Sequence, residues 1–178
     1  FHPYPYQQFC IQHIIDHPVA GLFVDMGMGK TVMTLTAFNY LKYYAWQIQR
    51  CLVIAPKKVA EATWRTEISG WQHLRHLRCS EVLGTATQRR AAMAVDADVY
   101  VTNRDNVQWL VKEYGKAWPF DMVVLDESSS FKNHQAKRFK ALRAMRPKIK
   151  RIVELTGTPS PHGLMDLWAQ VYLLDGGQ

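Results

Sequence analysis

Short apolar runs of strand length recur along this chain, and longer segments with helical spacing separate them. The runs are rich in Val, Ile and Leu and lack strict alternation, which is typical of strands covered on both faces of a parallel sheet. They lie at residues 21–24, 51–55, 80–83, 99–102, 122–125 and 152–155. The pattern predicts one strand at each run.

The segments between the runs carry apolar residues at helical spacing, and a further helix is predicted ahead of the first run. The predicted helices cover residues 6–16, 30–46, 57–69, 104–115, 134–145 and 163–174. Alternating strands and helices predict a three-layer α/β domain with a mainly parallel central sheet and right-handed crossovers. Ligands of such domains bind beyond the carboxyl ends of the strands.

Length and composition favour one globular domain. The chain has 178 residues, 48% of them hydrophobic, and no apolar stretch long enough to predict a membrane span or a secretory signal. The three cysteines, Cys10, Cys51 and Cys79, are far apart, which fits a reducing compartment. We therefore expect a cytoplasmic protein without a membrane partner.

Basic residues are concentrated near the carboxyl end. The net charge is +7, and residues 132–151 contain nine lysines and arginines and no acidic residue. Such a charge favours polyanionic partners. Two interpretations of the stretch stay open: a solvated helix face, or a surface that contacts phosphates.

The string VDMGMGKT at residues 24–31 follows the first apolar run and opens a predicted helix. Gly27, Met28 and Gly29 form a turn whose backbone N–H groups can approach phosphate oxygens at a helix amino terminus. Lys30 is predicted to reach the terminal phosphates, and the hydroxyl of Thr31 to ligate Mg²⁺. The alternative is an ordinary strand-to-helix turn with Lys30 in solvent.

Two adjacent carboxylates, Asp126 and Glu127, end the apolar run at residues 122–125. Asp126 is predicted to hold Mg²⁺ and Glu127 to orient and deprotonate an attacking water. Without a phosphate loop, the pair could equally cap the next helix. The prediction requires the sheet to bring Lys30 and this pair to the same cleft.

A third string, LTGTP at residues 155–159, ends the last apolar run. The three strings in this order indicate a protein that hydrolyses ATP and passes the result to another surface. Because all three follow predicted strands, they have the structural context that such motifs require.

With these strings, the chain resembles the first RecA-like domain of superfamily-two helicases, a P-loop NTPase domain, and is most similar to the Swi/Snf type of duplex DNA translocase. The string VDMGMGKT resembles the family's DEMGLGKT, and LDES at residues 125–128 resembles its DEAH box. The resemblance implies ATP and Mg²⁺ as ligands and Gln7 as the residue that reads the adenine edge. The DESSS-type string is also similar to helicases encoded by bacteriophages.

The resemblance further implies sequence-independent contacts with the DNA backbone at two strand ends and a relay between nucleotide and DNA. The relay residues would be Thr156, Gly157 and Thr158. Hydroxyl, amide and basic groups suit phosphate contacts of this kind. The implied DNA contacts are Pro56, Lys57, Lys58, Thr102, Asn103 and Arg104.

We interpret residues 1–178 as one ATP-binding domain of a longer protein, because only 19 residues follow Pro159. The family's second RecA-like domain and its arginine finger are expected beyond them. We therefore expect the isolated chain to bind ATP weakly and hydrolyse it poorly.

Two alternatives to a DNA helicase or translocase remain. An RNA-directed helicase would share the ATP motifs. The atypical Val24 and Ser128 also leave room for a nucleotide-gated binding module without turnover. A P-loop kinase is disfavoured, because LTGTP has no role in that class.

Overall fold

Six parallel strands form one sheet in the computed structural model of the chain, which describes residues 1–127 and 135–157. Their order across the sheet is β1-β6-β5-β2-β4-β3. Each predicted strand is confirmed within one or two residues of its expected bounds. The strands are β1 (Val19–Phe23), β2 (Cys51–Ala55), β3 (Cys79–Val82), β4 (Val99–Asn103), β5 (Met122–Asp126) and β6 (Arg151–Thr156).

Helices connect the strands, and five of them follow the predicted pattern. The predicted helix at residues 163–174 lies outside the described residues. An unpredicted helix follows β3, where the side chains of Thr85 and Gln88 each accept a hydrogen bond from the other's backbone N–H. The helices are α1 (Pro5–Asp16), α2 (Lys30–Tyr43), α3 (Lys57–Gly70), α4 (Ala86–Ala94), α5 (Val107–Tyr114) and α6 (Gln135–Ala144).

The sheet is the middle of three layers. One apolar core lies between the sheet and α1, α2 and α3, and a second core lies between the other face and α4, α5 and α6. Neighbouring residues of β6 alternate between the two cores: Ile152 belongs to the second, and Val153 and Leu155 to the first. The three-layer α/β prediction is confirmed. Within the two described ranges, no helix has the length and apolar character that a membrane span requires.

The strand order divides the carboxyl edge of the sheet into two halves. Because all six strands are parallel, the segments that follow them meet at this edge. The predicted nucleotide residues follow β1, β6 and β5, which are neighbours. The predicted nucleic-acid residues follow β2 and β4, which are also neighbours and adjoin β5.

Candidate active site

The phosphate loop between β1 and α2 has the backbone that its glycines permit. Gly27 and Gly29 have φ angles of 81° and 84°, in the left-handed region that disfavours other residues. A Cβ atom on Gly29 would lie 2.9 Å from the Gln7 side-chain nitrogen, so a side chain has no room there. The loop leads into the amino terminus of α2, whose first turn holds no acidic residue. This end of the helix therefore suits an anion.

Lys30, the first residue of α2, turns towards the end of β1, where its ammonium donates a hydrogen bond to the carbonyl oxygen of Val24 at 2.9 Å. Gly157, just beyond β6, lies beside the same ammonium. A Cβ atom on Gly157 would be 3.3 Å from the Lys30 nitrogen. The predicted relay segment is thus in close contact with the predicted phosphate-binding lysine.

Asp126 ends β5 and is buried, with 7% of its surface exposed. Its Oδ2 atom accepts a hydrogen bond from the indole nitrogen of Trp64 on α3 at 3.1 Å. Burial raises the pKa of the Asp126 carboxyl, while the Trp64 bond and the Lys30 ammonium act in the opposite direction. The carboxylate is therefore fixed in orientation and electrostatically coupled to the phosphate loop.

The lysine and the acidic pair line the same open cleft, of about 250 Å³. β6 separates β1 from β5, so the two ends are two strand spacings apart, or roughly 10 Å. Lys30 and Thr31 come from the start of α2, Asp126 from the end of β5 and Glu127 from just beyond it. The spatial requirement of the sequence prediction is confirmed. Three cleft residues that were not predicted, Val59, Thr63 and Glu67, come from α3.

The oxygen groups in this cleft suit a magnesium nucleotide. Mg²⁺ prefers oxygen ligands and commonly binds one or two protein groups together with substrate phosphates. Thr31 offers a hydroxyl and Asp126 a carboxylate, while Trp64 occupies only the Oδ2 atom of the latter. The residues present therefore fit Mg²⁺ with ATP.

Gln7 is buried at the other side of the phosphate loop. Its Oε1 atom accepts a hydrogen bond from the Tyr4 backbone at 3.0 Å, and its side-chain nitrogen donates to the carbonyl oxygen of Met28 at 3.4 Å. The Tyr6 hydroxyl donates to the same carbonyl at 3.1 Å. The amino-terminal motif therefore contacts the loop, and adenine recognition by Gln7 stays a prediction.

The predicted nucleic-acid residues after β2 are accessible. Pro56 caps α3, and both Lys57 and Lys58 are exposed in its first turn. After β4, Asn103 instead caps a short 3₁₀ turn, where its side-chain oxygen accepts a hydrogen bond from the Asn106 N–H at 3.2 Å. Phosphate binding by these residues stays a prediction.

The prediction for the Thr102 side chain is wrong. Thr102 is fully buried, and its hydroxyl donates a hydrogen bond to the Val82 carbonyl oxygen at 2.8 Å. The register pairs Thr102 with Val82 on the neighbouring strand, so the side chain joins β3 to β4. Its hydroxyl is not available to a phosphate.

Arg104 also has a role inside the protein. One terminal nitrogen, Nη2, donates hydrogen bonds to the backbone carbonyl oxygens of Asp126 and Glu127, at 3.2 Å and 2.7 Å. Burial lowers the pKa of the guanidinium, against the opposing effect of the two carboxylates. A residue predicted to bind nucleic acid therefore holds the turn that carries the acidic pair.

The relay residues and the basic stretch are described in part. Thr156 is buried, and Thr158 lies outside the described residues. On α6, Lys137, Lys140 and Arg143 are exposed, so both interpretations of the basic stretch stay open.

Replacing Trp64 with phenylalanine should lower the free energy of unfolding by about 1–3 kcal/mol, because Asp126 would stay buried and lose the hydrogen bond at its Oδ2 atom. Urea unfolding at neutral pH measures this effect. Trp71→Phe is the matched control. Trp71 donates to Glu67 at 2.7 Å but is only half-buried, so its replacement should cost less. Equal losses in both variants would contradict the role assigned to Trp64.

The parallel sheet, the phosphate loop and the acidic pair in the same cleft define a RecA-like P-loop NTPase domain. The chain belongs to the SNF2-related domain family, whose profile matches residues 6–177. It is 41% identical over 184 aligned positions to protein p41 of Acyrthosiphon pisum secondary endosymbiont phage 1, covering 100% of this chain and 40% of that protein. The family prediction is confirmed.

Other relatives are Swi/Snf proteins. The human SWI/SNF-related matrix-associated actin-dependent regulator of chromatin subfamily A member 1 is 30% identical over 169 residues, which cover 90% of this chain and 16% of that protein. The structure of the Sulfolobus solfataricus SWI2/SNF2 ATPase core in complex with dsDNA matches with a TM-score of 0.80 and 28% identity, over 99% of this chain and 36% of that one. The chain thus spans well under half the length of these relatives.

Proposed function

We propose that this chain is the ATP-binding motor domain of an ATP-dependent DNA helicase or duplex DNA translocase. The observation that carries the proposal is the single cleft lined by Lys30, Thr31, Asp126 and Glu127. Membership of the SNF2-related domain family supports ATP as the nucleotide. The motor would act together with a second RecA-like domain of the same polypeptide, in the cytoplasm.

The four cleft residues would divide the work of ATP hydrolysis. Bound Mg²⁺ supplies charge neutralisation and polarises the terminal phosphoryl group. The Thr31 hydroxyl and the Asp126 carboxylate would hold the ion, and the Lys30 ammonium would bind the terminal phosphates. The Glu127 carboxylate would orient the attacking water and accept its proton.

The nucleic acid would bind at the other half of the same edge. Lys57 and Lys58 are exposed there, and their charge attracts phosphates without sequence preference. The structural relative from Sulfolobus was solved with duplex DNA, which supports DNA as the polyanion. An RNA-directed helicase and a binding module without turnover are the remaining candidates.

A comparison of nucleic acids tests the proposal. We expect duplex DNA to stimulate phosphate release by the full-length protein more strongly than single-stranded DNA or RNA of equal length. Stimulation chiefly by RNA would favour the RNA-directed alternative. Nucleotide binding with no phosphate release under any of these conditions would contradict the motor and favour the binding module.

A further inference from the structure

Arg104 links the two halves of the carboxyl edge. It follows β4, whereas Asp126 and Glu127 end β5, and β2 lies between these strands. The guanidinium nevertheless spans this gap, because Nη2 donates to the carbonyl oxygens of both acidic residues. A side chain from the nucleic-acid half of the edge thus contacts the backbone of the nucleotide half.

The backbone held by Arg104 is an unfavourable one. Glu127 has a φ angle of 52°, and Trp46 is the other non-glycine residue with positive φ in the described part of the chain. A left-handed conformation is unfavourable for an ordinary L-residue, so it persists where surrounding contacts fix it. The shorter of the two Arg104 bonds, at 2.7 Å, goes to Glu127 itself.

We propose that Arg104 is a positioning residue that sets the backbone of Glu127 and thereby couples nucleic-acid binding to the catalytic carboxylate. The inference rests on the proposed function, because it assigns Glu127 to the attacking water. Arg104 acts through the turn and not on the reacting atoms. Lys57 and Lys58 follow β2, and Arg104 follows the neighbouring strand β4. DNA bound at these lysines would adjoin the strand end that carries Arg104, and a shift of the guanidinium would be passed to Glu127.

The geometry separates this role from that of a simple phosphate contact. A guanidinium is weakly hydrated, and the two N–H groups of its Nη2 atom are fixed in one plane, so this atom can donate to two carbonyls in a half-buried position. A lysine ammonium keeps the positive charge but is a compact, strongly hydrated group whose donors are not fixed in a plane. Arg104→Lys therefore preserves attraction to phosphate and weakens the bridge to Asp126 and Glu127.

The test compares Arg104→Lys with the double variant Lys57→Ala/Lys58→Ala in the full-length protein. We measure the Kd for duplex DNA, the KM for ATP, and kcat at saturating DNA. Arg104→Lys should lower kcat about tenfold while the Kd for DNA changes less than about twofold. The double variant should raise the Kd for duplex DNA about tenfold and lower kcat by a smaller factor.

Each other outcome overturns the inference. A weaker Kd with unchanged kcat in Arg104→Lys would make Arg104 a phosphate contact only. A lower thermal midpoint with losses in kcat, Kd and KM together would make it a residue of the fold only. If the wild-type protein shows no DNA-stimulated hydrolysis, the proposed function itself fails; if the wild type is stimulated and Arg104→Lys matches it, the coupling role alone fails.

Discussion

Replacing Lys30 with alanine is expected to reduce DNA-stimulated ATP hydrolysis by the full-length protein about a hundredfold to a thousandfold. Lys30 is the first residue of α2 and lines the same cleft as Asp126. A preorganised cation placed where phosphate charge develops contributes a rate factor of about this size. Among the described residues that line the cleft, Lys30 is the one cation. The substitution removes one hydrogen bond, from Lys30 to the Val24 carbonyl oxygen, so the variant should still fold.

Steady-state phosphate release and binding of a fluorescent ATP analogue measure the effect of Lys30→Ala. Lys112→Ala is the control, because Lys112 is exposed on α5, on the other face of the sheet. A circular dichroism melt close to that of the wild type excludes unfolding as the cause. Hydrolysis within about threefold of the wild type would contradict the assignment of Lys30 to the phosphates.

The convergence of Lys30 and Asp126 was predictable from the sequence for a geometric reason. Both follow apolar runs without alternation, which predict parallel strands, and parallel strands with helical crossovers place their carboxyl ends at one edge. The position of Gly157 between them was not predictable in this way. It depends on β6 being inserted between β1 and β5, and strand order is a property of the whole sheet.

Side-chain partners were the part of the site that residue types did not reveal. Thr102 has a phosphate-binding group at a strand end, yet its pairing with Val82 directs the hydroxyl to a carbonyl oxygen. Trp64 lies on α3, and its bond to Asp126 joins residues 62 positions apart. Both outcomes are set by register and packing, which a local pattern does not encode.

The α4 helix and the Glu127 turn differ in how far the sequence reveals them. The pair Thr85 and Gln88 carries the spacing of a capping box, so α4 was recognisable from its amino-terminal signal, although its apolar periodicity is weak. The left-handed backbone of Glu127 had no such signal, because glycine or asparagine is expected at that conformation. This conformation is seen only in the structure, where Arg104 donates a hydrogen bond to the Glu127 carbonyl oxygen.

Glu154 places an ionisable group inside the second core. It lies on β6 between Gly21 and Leu125 of the neighbouring strands, has 1% of its surface exposed, and neither carboxyl oxygen has a hydrogen-bond partner within the described structure. Burial raises the pKa of Glu154 from 4.5 to about 7. Below the unfolded-state pKa, the carboxyl is protonated in both the folded and the unfolded protein, so its titration does not change the free energy of unfolding. As pH rises from the unfolded-state pKa to the folded-state pKa, the free energy of unfolding falls, and the loss is complete above about pH 7.

Replacing Glu154 with leucine should therefore stabilise the protein by about 3 kcal/mol at about pH 8 and by much less at about pH 5. Leucine fills a similar volume without a charge to bury. Urea unfolding across this pH range measures the difference. Glu154→Gln is the matched control: it cannot ionise, so it should lose the pH dependence while keeping a buried polar group that leucine removes. If the wild type and the glutamine variant lost stability equally between pH 5 and pH 8, the carboxyl of Glu154 would not be the group that titrates.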